Sequence, residues 1–383
     1  MNMKTMLSVV LLALIVIACG TTQTRQEAEE SLNRGIEFYA NGDIENAITE
    51  FTQAIELYPK YAEAYNNRGS LYMQIGDSDR AKADFDQAID HNPEYAQAYN
   101  NRGIMYKNLG DFDSALADYS QAIELDPAFA EAYNNRGIVH TNLVDLESAL
   151  ADYDKAIELA PQYANAFNNR GNAYLNFGDL VNAKSDIDKA IQLNPNYVQA
   201  YYNRGNLYNE AGDFERAIAA YLKAVSLEPE FALAYNKIAY LFIMNGDYDN
   251  AIANTDKAIE IDPEFAEAYK NRGLAYMFFG DREPALANFN KAIELDPNYA
   301  EAYNSRGNLY LNLGDIANAM TDYHIAININ PRYAMPYVNR GLAYLQLGDL
   351  QSAISDLEMA LELGLVSPVK EDVENVIQEL KQQ

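Results

Sequence analysis

The sequence predicts an all-α array of helix pairs, and three observations carry that prediction. Proline falls at Pro59, Pro93, Pro127, Pro161, Pro195, Pro229, Pro263, Pro297 and Pro331, an unbroken spacing of 34 residues. A period held that strictly marks one small unit repeated along the chain. Within each unit, apolar residues recur at helical spacing on both sides of a Gly-Asp step. Small residues also recur at fixed places, where two helices could cross closely. Each unit of such an array touches only its neighbours, so there is no single core, and stacking leaves one long surface for binding. The length of 383 residues would by itself suggest two or three domains, and the repeat overrides that expectation.

The second unit shows how each element arises. Ala62-Glu63-Ala64-Tyr65-Asn66-Asn67-Arg68-Gly69 opens a first helix that runs to Ile75. Gly76 ends it and Asp77 caps the next, which spans roughly Ser78 to Asp90 before the Asn92-Pro93 turn. The Gly-Asp step recurs from Gly42-Asp43 to Gly348-Asp349, and only Val144-Asp145 lacks the glycine, so the turn of repeat 4 is expected to be strained or rearranged. Gly69 recurs in nine of ten repeats, with Ala239 the exception, and Ala81 and Ala88 recur as alanine in all ten. Tyr65, Tyr72 and Phe85 and their equivalents supply the bulk beside them, which places most of the 30 tyrosines in the core. Pro284 and Pro336 fall in first helical turns, where a missing N–H is harmless. After Gly364-Leu365, Ser367-Pro368 starts a last helix whose Val369, Val373, Val376, Ile377 and Leu380 share one apolar face, as a cap requires.

These residues resemble the tetratricopeptide repeat: two antiparallel helices in 34 residues, with an aromatic, Gly, aromatic, Ala, aromatic, Ala and Pro in that order. The resemblance covers residues 28–365. It implies a right-handed α-solenoid of about ten helix pairs with a C-terminal capping helix in 366–383, and a first helix of each pair that lines the concave face.

Ahead of the array, Lys4 precedes an apolar run from Leu7 to Ala18, too short to span a bilayer and of the length of a signal-peptide core. It ends Val16-Ile17-Ala18-Cys19, which resembles a bacterial lipobox. That resemblance implies removal of residues 1–18, a diacylglycerol on Cys19, a polar tether over 19–27, and a lipid-anchored protein on the extracytoplasmic side of a membrane. Cys19 is the only cysteine.

The formal charge of −28, from 56 acidic and 28 basic residues, makes nucleic acid and anionic lipid surfaces poor partners and a neutral or basic polypeptide a better one. No HExxH, GxSxG, P-loop or EF-hand loop occurs, and His91, His140 and His324 share no repeat position. The expectation is a protein that is not an enzyme, with no cofactor, no metal and no small-molecule substrate.

Arg34, Arg68, Arg102, Arg136, Arg170, Arg204, Arg272, Arg306 and Arg340 occupy one repeat position, usually leucine in the family. An anion-binding groove is one reading. A polar residue, mostly acidic, stands eighteen residues earlier in most cases, which predicts structural pairs Arg68–Glu50, Arg102–Asp84, Arg136–Asp118, Arg170–Asp152 and Arg204–Asp186. Where the arginine becomes Ile238, the residue eighteen earlier is Ala220, so charge and partner vanish together.

On the concave face the candidate partner-binding residues are Asn67, Asn101, Asn135, Asn169, Asn203 and Asn271. They resemble the asparagine ladder with which tetratricopeptide superhelices grip the backbone of an extended peptide, and a carboxamide that donates and accepts suits a peptide group. Lys237 and Ser305 interrupt the ladder. The other outcome is that these amides bond one another. A second candidate is apolar: Tyr240, Ile243 and Met244 of repeat 7 with Leu274, Met277 and Phe278 of repeat 8, where repeats 5 and 6 carry mostly asparagine. Such a patch reads either as an interaction site or as locally different packing. The function expected is an anchored protein-interaction scaffold of the bacterial envelope, with an accessory or assembly subunit of an envelope enzyme, secretion or pilus machine as the alternative.

Overall fold

A computed structural model describes residues 24–381, and Cys19 with the leader lies outside them. The described residues form helices joined by turns, without strands. The chain divides after Pro195 into two compact units. The first holds five helix pairs: α1 (24–40), α2 (Ile44–Leu57), α3 (Ala62–Gln74), α4 (Ser78–His91), α5 (Ala96–Asn108), α6 (Phe112–Leu125), α7 (Ala130–Asn142), α8 (Leu146–Leu159), α9 (Ala164–Asn176) and α10 (Leu180–Leu193). Residues 24–27, expected in the tether, instead belong to α1, and Ala28 is already fully buried.

The second unit holds five more pairs: α11 (Val198–Glu210), α12 (Phe214–Leu227), α13 (Ala232–Met244), α14 (Tyr248–Ile261), α15 (Ala266–Phe279), α16 (Arg282–Leu295), α17 (Ala300–Asn312), α18 (Ile316–Ile329), α19 (Ala334–Leu347) and α20 (Leu350–Glu362). The cap, α21 (Val369–Leu380), buries Val373 and Ile377 against Val338, Leu357 and Ala360.

The turn chemistry follows from the Gly-Asp step. Asp77 accepts the backbone N–H of Arg80 at 3.0 Å, and the aspartates at the starts of α6, α8 and α10 cap in the same way. In repeat 4 the turn keeps its geometry, so Val144 is held at φ 62°, the one positive φ among the described non-glycine residues. A β-branched side chain there is a true backbone outlier, which bears out the expectation of strain.

The close helix crossing explains the small residues. A Cβ on Gly103 would lie 2.7 Å from the Tyr119 ring, and one on Gly69 3.0 Å from Phe85. The exception is compensated in a way the sequence reading missed. Opposite Ala239, at the place of Phe85, stands the fully buried Thr255, so the added methyl is matched by a smaller partner.

Within each unit the first helices of successive repeats approach one another (α3 and α5, α7 and α9; α13 and α15, α17 and α19), while the second helices do not come as close. First helices therefore line the inner side, and the approach is most extensive between α13 and α15.

Candidate functional site

The arginine ladder is internal, and its pairing differs from expectation. Arg102 forks onto Asp118 with Nε–Oδ2 and Nη2–Oδ1 distances of 2.8 Å each, and its Nη1 lies 2.6 Å from Asp86. Arg68 takes Asp84, Arg136 takes Asp152, Arg170 takes Asp186 and Arg34 takes Glu50 in the same register. The expected partners Arg68–Glu50, Arg102–Asp84, Arg136–Asp118, Arg170–Asp152 and Arg204–Asp186 are thus corrected: where an acid stands sixteen residues later, on the second helix of the same hairpin, the arginine grips that acid, Arg272 meets Asn288 in the same register, and Asp186 is taken by Arg170. The antiparallel hairpin puts those two places face to face. Contact with the preceding repeat runs through the residue sixteen earlier, as in Arg68 to Thr52 and Arg272 to Asp256. These carboxylates raise Arg102 and Arg170 further above the usual arginine range. Planar bidentate geometry and partial burial make them structural ties rather than an anion groove.

The corrected register changes the meaning of the exceptional repeats. Arg204 now faces Ala220, and its buried Nε has no hydrogen-bond partner among the described residues, while the guanidinium lies 4.8 Å from the Tyr201 ring centre. Ile238 stands opposite Asn254, whose amide turns back to the carbonyl of Asn250.

The asparagines bond one another. Asn101 donates to Asn66 at 2.9 Å, Asn135 to Asn100 at 3.0 Å, Asn169 to Asn134 at 3.0 Å and Asn271 to Asn236 at 2.8 Å, always to the first asparagine of the preceding repeat. Asn135, Asn203 and Asn271 are buried, and Asn67 accepts from Asn66 of its own helix. Among the described residues these amides thus follow the other expected outcome and bond one another where neighbouring first helices cross, although the buried Oδ1 of Asn271 finds no partner there. The interruptions fit this account, because both members change together. Lys237 stands where its partner would be Tyr202, and Ser305, which bonds back to Glu301, where its partner would be Lys270.

The inner side of repeats 7 and 8 carries exposed apolar side chains. Tyr240, Met244 and Phe278 are 39 %, 60 % and 54 % exposed. Ile243 is corrected to a core residue, 6 % exposed and packed with Ala251 and Ala275 on the face of α13 that meets its neighbours. Leu274 and Met277 are half-buried against Ala285, Phe289 and Leu309. The Phe278 ring stacks on Tyr248 at 5.9 Å, which fixes one edge of the patch. Leu233, also exposed, was missed; its signal was that the same place is Glu63, Gln97, Glu131, Asn165 and Gln199 in earlier repeats.

Two lysines accompany the patch. Lys237 Nζ lies 3.9 Å from Glu267. Lys270 makes no hydrogen bond or ion pair among the described residues, and burial holds its ammonium below the usual lysine range, with Glu267 and Glu301 opposing that and Lys237 adding to it. His140 sits half-buried, 3.6 Å from Asp145 and 3.8 Å from Asp152. Among the described residues no group of three or more His, Cys, Asp or Glu could hold a metal ion, and no helix is long and apolar enough to cross a membrane.

Comparison with known proteins agrees with this architecture. A tetratricopeptide repeat profile matches residues 62–95, 96–129, 130–163, 164–197 and 198–231; further tetratricopeptide profiles match 35–76, 220–253, 240–277, 280–314, 307–348 and 336–363. No curated protein sequence matches the chain. Among solved structures, a tetratricopeptide repeat protein from Parabacteroides merdae is 23 % identical, with a TM-score of 0.56 over 66 % of this chain and 99 % of its own. Yeast Tom70 is 17 % identical, with a TM-score of 0.51 over 94 % and 96 %. The Cut9–Hcn1 hetero-tetramer of the APC/C matches at 16 % identity and a TM-score of 0.50 over 91 % and 88 %. At these identities the structures speak for the fold alone, but the profiles run through nearly every repeat with the helix pairs in register, and the chain belongs to the tetratricopeptide repeat family.

Proposed function

We propose that this chain is a protein-interaction scaffold of the bacterial cell envelope, anchored by lipid on Cys19, that holds polypeptide segments against the inner side of its first helices. The observation that carries the reading is the division of labour among its side chains. Most arginines and asparagines at the recurring places bond other helices, whereas Tyr240, Met244, Phe278 and Leu233 present apolar surface that no part of the described chain covers. Exposed apolar surface on a rigid scaffold is what a binding partner buries, and a few such anchors dominate interface energies.

Site-specific photocrosslinking tests the reading. A photoreactive phenylalanine analogue at Tyr240 is expected to give adducts with discrete polypeptides in intact cells, and the same probe at the exposed Leu222 of α12 is not. Equal adducts from both places would remove the inner side as the binding surface. For the anchor, Cys19→Ser should leave the protein unlabelled by an acyl-chain probe; retained label would overturn the lipid attachment.

A further inference from the structure

The asparagine ladder breaks at two places in the second unit, and each break substitutes a lysine for one of the paired amides: Lys237 opposite Tyr202, and Lys270 opposite Ser305. Between those breaks lie α13 and α15, the helices that carry the exposed apolar side chains. We propose that the inner side of repeats 7 and 8 is a specificity subsite that takes an internal segment of a partner bearing an aspartate or glutamate beside apolar residues, the carboxylate meeting Lys237 and Lys270 and the apolar side chains meeting Tyr240, Met244 and Phe278. This rests on the reading of the inner side as the binding surface.

Three features argue for a carboxylate. Repeat logic places neutral, mutually bonded amides where these lysines stand, so each lysine replaces a satisfied pair. Lys270 has no hydrogen-bonded or ion-paired acceptor among the described residues, and Lys237 has only one loose ion pair, at 3.9 Å. Finally, Lys237 lies near enough to Lys270 to disfavour the charge on Lys270, a repulsion that a shared carboxylate would relieve. Glu267 and Glu301 favour the charged form of Lys270 without bonding it. The first helices continue past the second break through α17 and α19, so a bound segment has surface to follow and need not end there. That favours an internal side chain over a chain terminus.

Selection of the full-length protein against a displayed library of random 12-residue peptides tests this. The selected sequences should be enriched in Asp or Glu next to Leu, Met, Phe or Tyr. One such peptide, synthesised with an amidated C-terminus, should lose about tenfold or more in affinity, by fluorescence polarisation, when its acid becomes the amide. Lys237→Gln with Lys270→Gln should give the same loss on the acidic peptide and no loss on the amide peptide. These variants remove the charge and keep helix propensity, and circular dichroism checks that they fold. Enrichment of Lys or Arg, binding that requires a free C-terminal carboxylate, or an unchanged affinity in the double variant would each overturn the subsite while leaving the scaffold reading in place. Failure to select any peptide would overturn both.

Discussion

Repeat 6 offers a direct test of the arginine register. Arg204 occupies the ladder position, yet the residue sixteen later is Ala220, and the guanidinium Nε is buried without an acceptor among the described residues. In repeat 3 the same place holds Asp118, which accepts two bonds of 2.8 Å from an arginine whose side chain is 19 % exposed. Ala220→Asp should recreate that fork. Hydrogen bonds between charged groups contribute about 1.5–3 kcal/mol each in favourable settings, and burying the new carboxylate opposes this. Because Arg204 is already in place and already desolvated at Nε, the net gain should be about 1–2 kcal/mol. In a repeat array that gain stays local, so hydrogen–deuterium exchange of the α11 and α12 peptides is the assay. A gain of about 1.4 kcal/mol slows exchange about tenfold. Slowing confined to this repeat, with Arg204→Leu neutral or mildly stabilising, is the expected result. Faster exchange in Ala220→Asp would mean a buried, unpaired carboxylate and would refute the sixteen-residue register.

Three further outcomes follow from the packing. Val144→Gly should stabilise repeat 4 by about 1 kcal/mol, since it removes a left-handed backbone penalty of about 1–2 kcal/mol at the cost of a more flexible unfolded chain; local exchange again reads it. Gly103→Ala should destabilise by about 1–3 kcal/mol because its Cβ meets the Tyr119 ring, measured as a lower urea midpoint for the first unit. The cap aspartates set the acid limit. The backbone N–H groups of Arg80 and Asn182 hold Asp77 and Asp179 below the usual carboxylate range. Their contribution is present above the unfolded value of about 3.9 and disappears as pH falls through the lowered folded values. Thermal midpoints should therefore hold down to about pH 5 and fall below about pH 4, and Asp77→Asn, which caps without titrating, should lessen the fall in its own repeat.

The helix boundaries were legible because their signals are local: Gly76 and Asp77 act on the turn that contains them, and the capping face of α21 reads directly from Val373 and Ile377. Pairing between helices was not, and the period itself is the reason. With a 34-residue repeat, an acid sixteen residues after one arginine is necessarily eighteen before the next, so regular repeats cannot distinguish the two registers. Only an irregular repeat decides, and the joint occurrence of Ala220 and Ile238 suggested the wrong one. The asparagines carried a readable sign that went unused, the paired changes at Tyr202 with Lys237 and at Lys270 with Ser305. In the apolar patch, composition located the right repeats, but the exposed Tyr240 and Met244 lie one helix turn apart while Ile243, next to Met244, is buried, and that distinction depends on how α13 is rotated against its neighbours.

The account's central claim is that the ladders build the array and the open apolar side chains do the binding. Titrating one selected peptide against Met244→Glu and Asn135→Ala, at a temperature where both are folded, tests it most directly. The account predicts that Met244→Glu melts like the parent and loses affinity by about tenfold or more. Asn135→Ala, which leaves Asn100 Oδ1 without its donor, should melt lower by the equivalent of about 1–3 kcal/mol and bind as the parent does. Lost binding in Asn135→Ala together with parent-like binding in Met244→Glu would contradict it.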